Sequence, residues 1–206
     1  MTENELPVQV FGETELVEHL ESNGHVYSHC ISIRNPDQQM PAAIKAAFKS
    51  ILELRFYDVE SADQLGPAQA IKRVPERRDV QGVVEYFRLT RSDASGYTIH
   101  CWQGISRSPA IALGILFLLT QSEKKAAETL MRLKPDARPH QGLVKFFDEE
   151  LSCSLSPFND EIRRQTLDFL RRELSALADA GLNELSAVDE RSGLLARART
   201  IRRADH

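Results

Sequence analysis

Cysteine is scarce in this chain of 206 residues, which has only Cys30, Cys101 and Cys153. A small scaffold held by disulfides needs more cysteines at closer intervals, and no two of these three have the short spacing of zinc ligands. We therefore expect a reduced, cytoplasmic protein without a metal or other cofactor. Cys30 and Cys153 are expected to be packed thiols, although a resolving disulfide between one of them and Cys101 stays open.

Long hydrophobic runs and an excess of basic residues are also lacking. The longest apolar run, AIALGILFLL at residues 110–119, has about half of the roughly 20 residues that span a bilayer. The first ten residues, MTENELPVQV, lack the basic and then apolar order of a signal peptide. The net charge of -4 argues against a general nucleic-acid binder. We expect neither a membrane nor a nucleic acid as partner, and a local basic pocket for phosphate is compatible with these totals.

Composition and residue pattern indicate a globular α/β protein. Hydrophobic residues make up 42% of the chain and charged residues 27%, which are ordinary fractions for a soluble domain. Alternating and β-branched stretches predict strands at residues 26–33, 51–59 and 97–101. Apolar spacing and capping residues predict helices at residues 41–48, 75–87, 108–120, 123–133, 141–151 and 158–180. This order favours a largely parallel central sheet flanked by helices.

The character of the chain changes after residue 155. A long amphipathic helix at 158–180 lies among dense charges, so we expect a first domain at residues 1–155 and a helical C-terminal extension at 156–206. The helix either covers the core or pairs with a second copy in a homo-oligomer. The arginines that follow it are more typical of a solvated helix end than of a docking surface.

Residues 99–108, IHCWQGISRS, form the most informative stretch. A predicted strand ends at Cys101, Gly104 allows a tight bend, and a helix is predicted to begin near Arg107. Such a loop can turn several backbone N–H groups inward, and the helix N-terminus adds partial positive charge. The forked guanidinium of Arg107 can bind two oxygens of one anion. The stretch therefore predicts a binding site for a phosphate group.

The same positive surroundings act on Cys101. A thiol at a helix N-terminus beside an arginine can have its pKa lowered from about 8.5 to between roughly 3.5 and 7.5. The thiolate would then attack a bound phosphorus atom, and water would release the phosphocysteine in a second step. The alternative is an inert buried thiol, which is common among free cysteines.

These residues resemble a known signature. His100, Cys101, the five residues after it, Arg107 and Ser108 are similar to the HCX5R loop of the cysteine-dependent protein tyrosine phosphatases. The short core resembles the compact, bacterial-type dual-specificity branch, and RPHQGLVKFFDEEL at residues 138–151 is similar to the segment that closes such domains. The resemblance covers roughly residues 25–152 and implies a phosphatase-like central sheet.

The resemblance implies roles for the residues of this loop. Cys101 would be the nucleophile, Arg107 would bind phosphate and stabilise the transition state, and Ser108 would assist thiolate formation and departure. His100 would orient or tune the thiolate, or it is only a buried strand residue. Trp102 either stacks on an aryl substrate or packs against the protein. The backbone amides that would hold the phosphate belong to Trp102, Gln103, Gly104, Ile105, Ser106 and Arg107.

A general acid is also needed, because the leaving oxygen must be protonated. The family places an aspartate on a loop after an upstream strand, and Asp58 matches that place, with Asp63 and Asp79 as alternatives. The residues from Glu60 to Arg73 resemble an insertion relative to many dual-specificity members. The family often has asparagine where this chain has His140, so positioning near the loop is expected to differ.

The favoured function is hydrolysis of phosphate monoesters on a phosphorylated protein or another aryl substrate. Phosphotyrosine is preferred, and phosphoserine and phosphothreonine stay open. Phosphoinositide phosphatases of this fold often have lysines inside the loop, and residues 102–106 contain none. A non-catalytic phosphopeptide-binding module and a rhodanese-type sulfurtransferase are the alternatives.

Overall fold

The computed structural model describes residues 8–60 and 73–179. Strands and helices alternate up to the fourth strand, and four consecutive helices follow it. In chain order the elements are β1 (Val8–Gly12), α1 (Glu13–Glu21), β2 (His29–Arg34), α2 (Ala42–Ala47), β3 (Ser50–Arg55), α3 (Arg77–Thr90), β4 (Tyr97–Cys101), α4 (Arg107–Thr120), α5 (Glu123–Leu133), α6 (Gln141–Leu151) and α7 (Ser156–Asp179).

The four strands form one parallel sheet in the order β1-β4-β2-β3. All residues of β4 are buried, because this strand has a neighbour on each side and is covered on both faces. The carboxyl ends of parallel strands meet at one edge of the sheet, where ligands of open α/β folds bind. The loop after Cys101 therefore lies at that edge. The predicted α/β class with a parallel central sheet is confirmed.

Two hydrophobic clusters cover the sheet. The larger one contains Ile31, Ile99, Cys101 and much of α4, and it explains why the apolar run at residues 110–119 is a buried helix. The smaller one joins Leu16, Cys30, Ile44 and Phe48. Successive side chains of a strand point to opposite faces, so Cys101 and the residue before it, His100, belong to different sides of the sheet.

Strand β1 and helix α1 are absent from the sequence prediction. Val8 and Val10 are buried and alternate with half-buried Gln9 and Phe11, but five residues inside an acidic terminus give a weak signal. Only Leu16 is fully buried in α1, so its apolar face is narrow. The domain consequently begins with β1, upstream of residue 25, where the resemblance was expected to start.

Other boundaries shift by a few residues. The strand predicted at 26–33 is observed at His29–Arg34, and the one predicted at 51–59 ends at Arg55, which leaves Asp58 in the following loop. Contacts group the chain into two compact units, Met1–Arg164 and Gln165–His206; the expected division at residue 155 stays a prediction. No helix within residues 8–60 and 73–179 has the length and hydropathy to cross a bilayer.

Candidate active site

The sulfur of Cys101 lies beneath the loop that joins β4 to α4. Gly104 has a φ of 74°, and this turn directs its backbone N–H to Cys101 Sγ at 3.3 Å. The hydroxyl of Ser108, in the first turn of α4, donates to the same sulfur at 3.2 Å. Hydrogen bonds of this kind strengthen when the acceptor carries negative charge. The two donors therefore suit a sulfur that reacts as a thiolate.

Helix α4 begins at the loop without a side-chain cap. Ser106 occupies the N-cap position, but its hydroxyl makes no cap hydrogen bond and donates instead to Oδ1 of Asp58 at 2.7 Å. The first N–H groups of a helix need acceptors from outside the helix, and they carry partial positive charge. The start of α4 therefore suits a bound anion, and the assignment of residues 102–107 to phosphate binding stays a prediction.

Arg107 is buried and fixed along one edge of its guanidinium. Its Nη1 donates to Oδ1 of Asn35 and to the backbone carbonyl of Phe56, both at 2.9 Å. Its Nε is buried and has no hydrogen-bond partner within the described part of the chain. The protein thus holds the guanidinium through Nη1, and the N–H group of Nε is left to donate to an incoming anion.

Asp58 lies beside this arginine. Its Oδ2 is 3.6 Å from Arg107 Nε, and its side chain is 35% exposed, so the carboxyl group contacts both the loop and solvent. The family resemblance implied Asp58 as the acid, because it lies on a loop after an upstream strand. The structure brings it together with Ser106 and Arg107.

The alternative aspartates do not share this position. Asp79 is buried at the start of α3, where it pairs with Arg73 and accepts the backbone N–H of Glu76 at 2.8 Å. This carboxylate caps a helix, a role for which acidic residues are favoured. Asp63 lies outside the described residues.

His100 is fully buried on the other face of the sheet. Neither ring nitrogen has a hydrogen-bond partner among the residues described, so no hydrogen bond ties the ring to the loop. Burial, with a smaller contribution from the charge of Arg34, lowers the pKa of His100 to about 4. The ring is therefore neutral near pH 7, and its proposed tuning of the thiolate stays a prediction.

The other two cysteines are free thiols in packed surroundings. Cys30 belongs to the smaller cluster, across the sheet from Cys101, and burial raises the pKa of its thiol. Burial, followed by the charge of Asp148, raises the pKa of Cys153 to about 12. Both environments are those of unreactive thiols.

The junction of β1 and α1 forms a wall of the loop that sequence reasoning missed. The backbone N–H of Glu13 donates to the carbonyl of Trp102 at 3.1 Å, and the Glu13 carboxylate accepts from Arg34 Nη1 at 2.7 Å. A Cβ on Gly104 would lie 2.5 Å from the backbone nitrogen of Gly12. The sequence signal for this junction was Gly12 at the end of a short strand, followed by Glu13, Thr14 and Glu15.

Replacing Gly104 with alanine is therefore expected to damage the loop. The positive φ costs an L-residue on the order of 1–3 kcal/mol, and the contact with Gly12 backbone forces the loop to shift. We expect a lower midpoint of thermal unfolding and weaker binding of inorganic phosphate. The control is Gly82→Ala, on α3, where a Cβ meets nothing within 4 Å and the change should stabilise by roughly 0.5–1 kcal/mol. Equal effects of the two substitutions would contradict this account.

The segment before α6 closes the other side of the loop. The backbone N–H of Arg138 donates to the carbonyl of Ile105 at 2.7 Å, and that of His140 donates to the carbonyl of Ser106 at 3.2 Å. Both bonds pair loop carbonyls with backbone donors from outside the loop. The segment that resembles the closing part of the phosphatase domain is thus packed on the loop itself.

No protein-family model and no curated protein sequence matches the chain. Solved structures do resemble it. The structure of DUSP15 aligns with a TM-score of 0.52 at 18% identity, over 80% of this chain and 95% of the other. Tk-PTP in its active form aligns at 0.48 and 16% identity over 74% and 93%, and human DUSP28 at 0.46 and 15% over 78% and 96%.

The likeness to DUSP15 extends over nearly all of that protein. It agrees with the parallel sheet, in which β4 lies between β1 and β2. The chain has the fold of the cysteine-dependent protein tyrosine phosphatase superfamily, in its compact dual-specificity form.

Proposed function

We propose that this protein is a phosphatase that hydrolyses phosphate monoesters through a phosphocysteine, with aryl esters such as phosphotyrosine preferred. One observation carries the proposal: Asp58, from the segment after β3, lies beside the loop that carries both Cys101 and Arg107. Each of them supplies a different requirement of phosphoryl transfer, namely an acid, a charged clamp and a nucleophile.

In the first step the Cys101 thiolate attacks phosphorus and the bond to the ester oxygen breaks. The Asp58 carboxyl proton passes to that leaving oxygen. Loop N–H groups and Arg107 bind the other phosphate oxygens, on which charge is concentrated.

In the second step water attacks the phosphocysteine. Asp58, now a carboxylate, accepts a proton from that water, and the phosphorus–sulfur bond breaks to give inorganic phosphate and the thiolate. The hydroxyl of Ser108, 3.2 Å from Sγ, stabilises the departing sulfur. The cycle regenerates Cys101 in its starting form.

Trp102 supports the preference for aryl esters. Its side chain is 53% exposed directly after the nucleophile, which is unusual for so large an apolar group. An indole at the rim of a phosphate site can stack on the ring of a substrate. The absence of lysine at residues 102–106 disfavours substrates with several phosphates.

The proposal is tested with two substrates, without added metal. Asp58→Asn should slow hydrolysis of phenyl phosphate by roughly 10²–10⁴-fold, because phenolate leaves poorly without a proton. The loss on p-nitrophenyl phosphate should be much smaller, because that leaving group needs little protonation. The control is Asp93→Asn, at an aspartate that pairs with Lys49 away from the loop.

Failure of this test is informative. A freshly reduced native protein that binds phosphotyrosine without turnover would establish the phosphopeptide-binding module instead. Sulfur transfer from thiosulfate without phosphatase activity would establish a rhodanese-type enzyme. The presence of both Asp58 and Cys101 at the loop disfavours the first of these alternatives.

A further inference from the structure

We infer that Glu60 and His140 together position the acid, by clamping the segment that carries Asp58 to the start of α6. These two residues are called the Glu60–His140 clamp below. The inference rests on the proposed phosphatase function and adds two positioning residues to it.

The ring of His140 connects two backbones. Its Nε2 is 3.0 Å from the carbonyl oxygen of Val59, the residue after Asp58, and a carbonyl only accepts, so Nε2 is the donor. Its Nδ1 accepts the backbone N–H of Leu143 at 3.3 Å, as the N-cap of α6. The ring is only 1% exposed, so water does not compete for these bonds.

Glu60 makes the second connection. Its two carboxylate oxygens accept the backbone N–H groups of Gln141 and Gly142 at 3.1 and 3.0 Å. A carboxylate at a helix N-terminus is stabilised by the unpaired N–H groups and by the helix dipole. Glu60 therefore anchors the segment just after Asp58 to a rigid helix.

The two residues of the clamp also contact each other. Oε2 of Glu60 lies 3.3 Å from Nδ1 of His140. The two side chains that attach the acid segment to α6 therefore lie side by side at the start of that helix.

The hydrogen bonds of the clamp continue through the loop to Asp58 itself. His140 also donates its backbone N–H to the carbonyl of Ser106, and the Ser106 hydroxyl donates to Asp58. Asp58, the loop and α6 thus share one set of hydrogen bonds. An acid misplaced by about 1 Å can lose on the order of 10²-fold in rate, so the clamp controls how well Asp58 reaches the leaving oxygen.

Two substitutions of His140 separate its two bonds. In His140→Asn the amide oxygen can replace Nδ1 as the helix cap, but the side chain does not reach Val59. In His140→Gln the amide nitrogen can replace Nε2 and donate to Val59. We expect His140→Asn to lose roughly 10- to 100-fold in kcat/KM on phenyl phosphate and less than about 3-fold on p-nitrophenyl phosphate. His140→Gln should recover most of the loss on phenyl phosphate.

Matched controls isolate the clamp from general damage. His29→Gln removes a histidine that is as buried as His140 but lies at the start of β2, where its ring contacts Ser28. This variant should affect both substrates alike. Glu60→Ala, at a carboxylate that is partly exposed, tests the clamp without altering a buried ring. It should selectively slow phenyl phosphate by about 10-fold, whereas Glu150→Ala, at a carboxylate near the other end of α6, should not.

The outcomes are distinct. A native protein inactive on both esters would refute the proposed function itself. An active native protein whose His140→Asn and Glu60→Ala variants lose equally on both esters, or lose nothing, would overturn the clamp and leave the function standing. If His140→Asn fails to fold in a thermal unfolding scan, Glu60→Ala against Glu150→Ala decides the question.

Discussion

Replacing Cys101 with serine is expected to abolish turnover, with a loss on the order of 10⁴-fold or more in kcat on p-nitrophenyl phosphate. A serine hydroxyl is far less acidic than a thiol, so it does not ionise beside Ser108 and Gly104 at neutral pH. No other side chain at the loop replaces the sulfur as a nucleophile, since Arg107 is a cation and Asp58 is held by Ser106.

Binding should survive the same substitution. The loop amides and Arg107 do not depend on the sulfur, and the guanidinium keeps its bonds to Asn35 and Phe56. Calorimetric titration with inorganic phosphate should therefore give an affinity close to that of the native protein. Cys153→Ser serves as the control and should remain fully active. A Cys101→Ser variant that keeps more than about 1% of native turnover would contradict the assignment of the Cys101 sulfur as the nucleophile.

Replacing Arg107 with lysine is expected to be the next most damaging change, at roughly 10²–10³-fold in kcat/KM. Lysine keeps the charge but has a single compact ammonium group. It cannot hold Asn35 and Phe56 and also present a fork of donors to phosphate. Asp58 would lose its partner at 3.6 Å as well.

The measurement should separate charge from geometry. Inhibition by inorganic phosphate is expected to weaken in Arg107→Lys along with kcat/KM, because the ground state loses a bidentate contact. Arg77→Lys is the control, at a half-exposed arginine that pairs with Glu149 and Glu150 on the surface, and it should change neither quantity. Retention of activity within a factor of about 3 in Arg107→Lys would mean that charge alone suffices.

The sequence was most informative where function depends on local order. Cys101, Gly104 and Arg107 lie within one strand–loop–helix unit, so their spacing alone indicated an anion site. Asp58 was proposed from the family resemblance, and its position beside Arg107 agrees with parallel strands that end at the same edge. The start of α4 was predictable from the buried character of the run that follows it.

Contacts between distant segments were not predictable in this way. The bonds of Glu60 to the start of α6 join residues 81 and 82 positions apart, and nothing in the local pattern of either segment indicates the other. Asp79 and Asp58 are the same residue type, and only the structure shows that Asp79 caps helix α3 instead of reaching the loop. Strand β1 was missed because its five residues carry too little pattern to stand out.

Strand β1 links the shape of the loop after Cys101 to the order of folding. Val8–Gly12 pairs with Tyr97–Cys101, and bonds between the two strands, such as Thr98 to Gln9, close 89 positions of chain. Contacts of such long range form late, since their entropic cost precedes their gain. Glu13 reaches Trp102 only after this closure. Under the proposed function, we therefore expect a newly made chain to gain phosphatase activity only when the whole sheet has assembled.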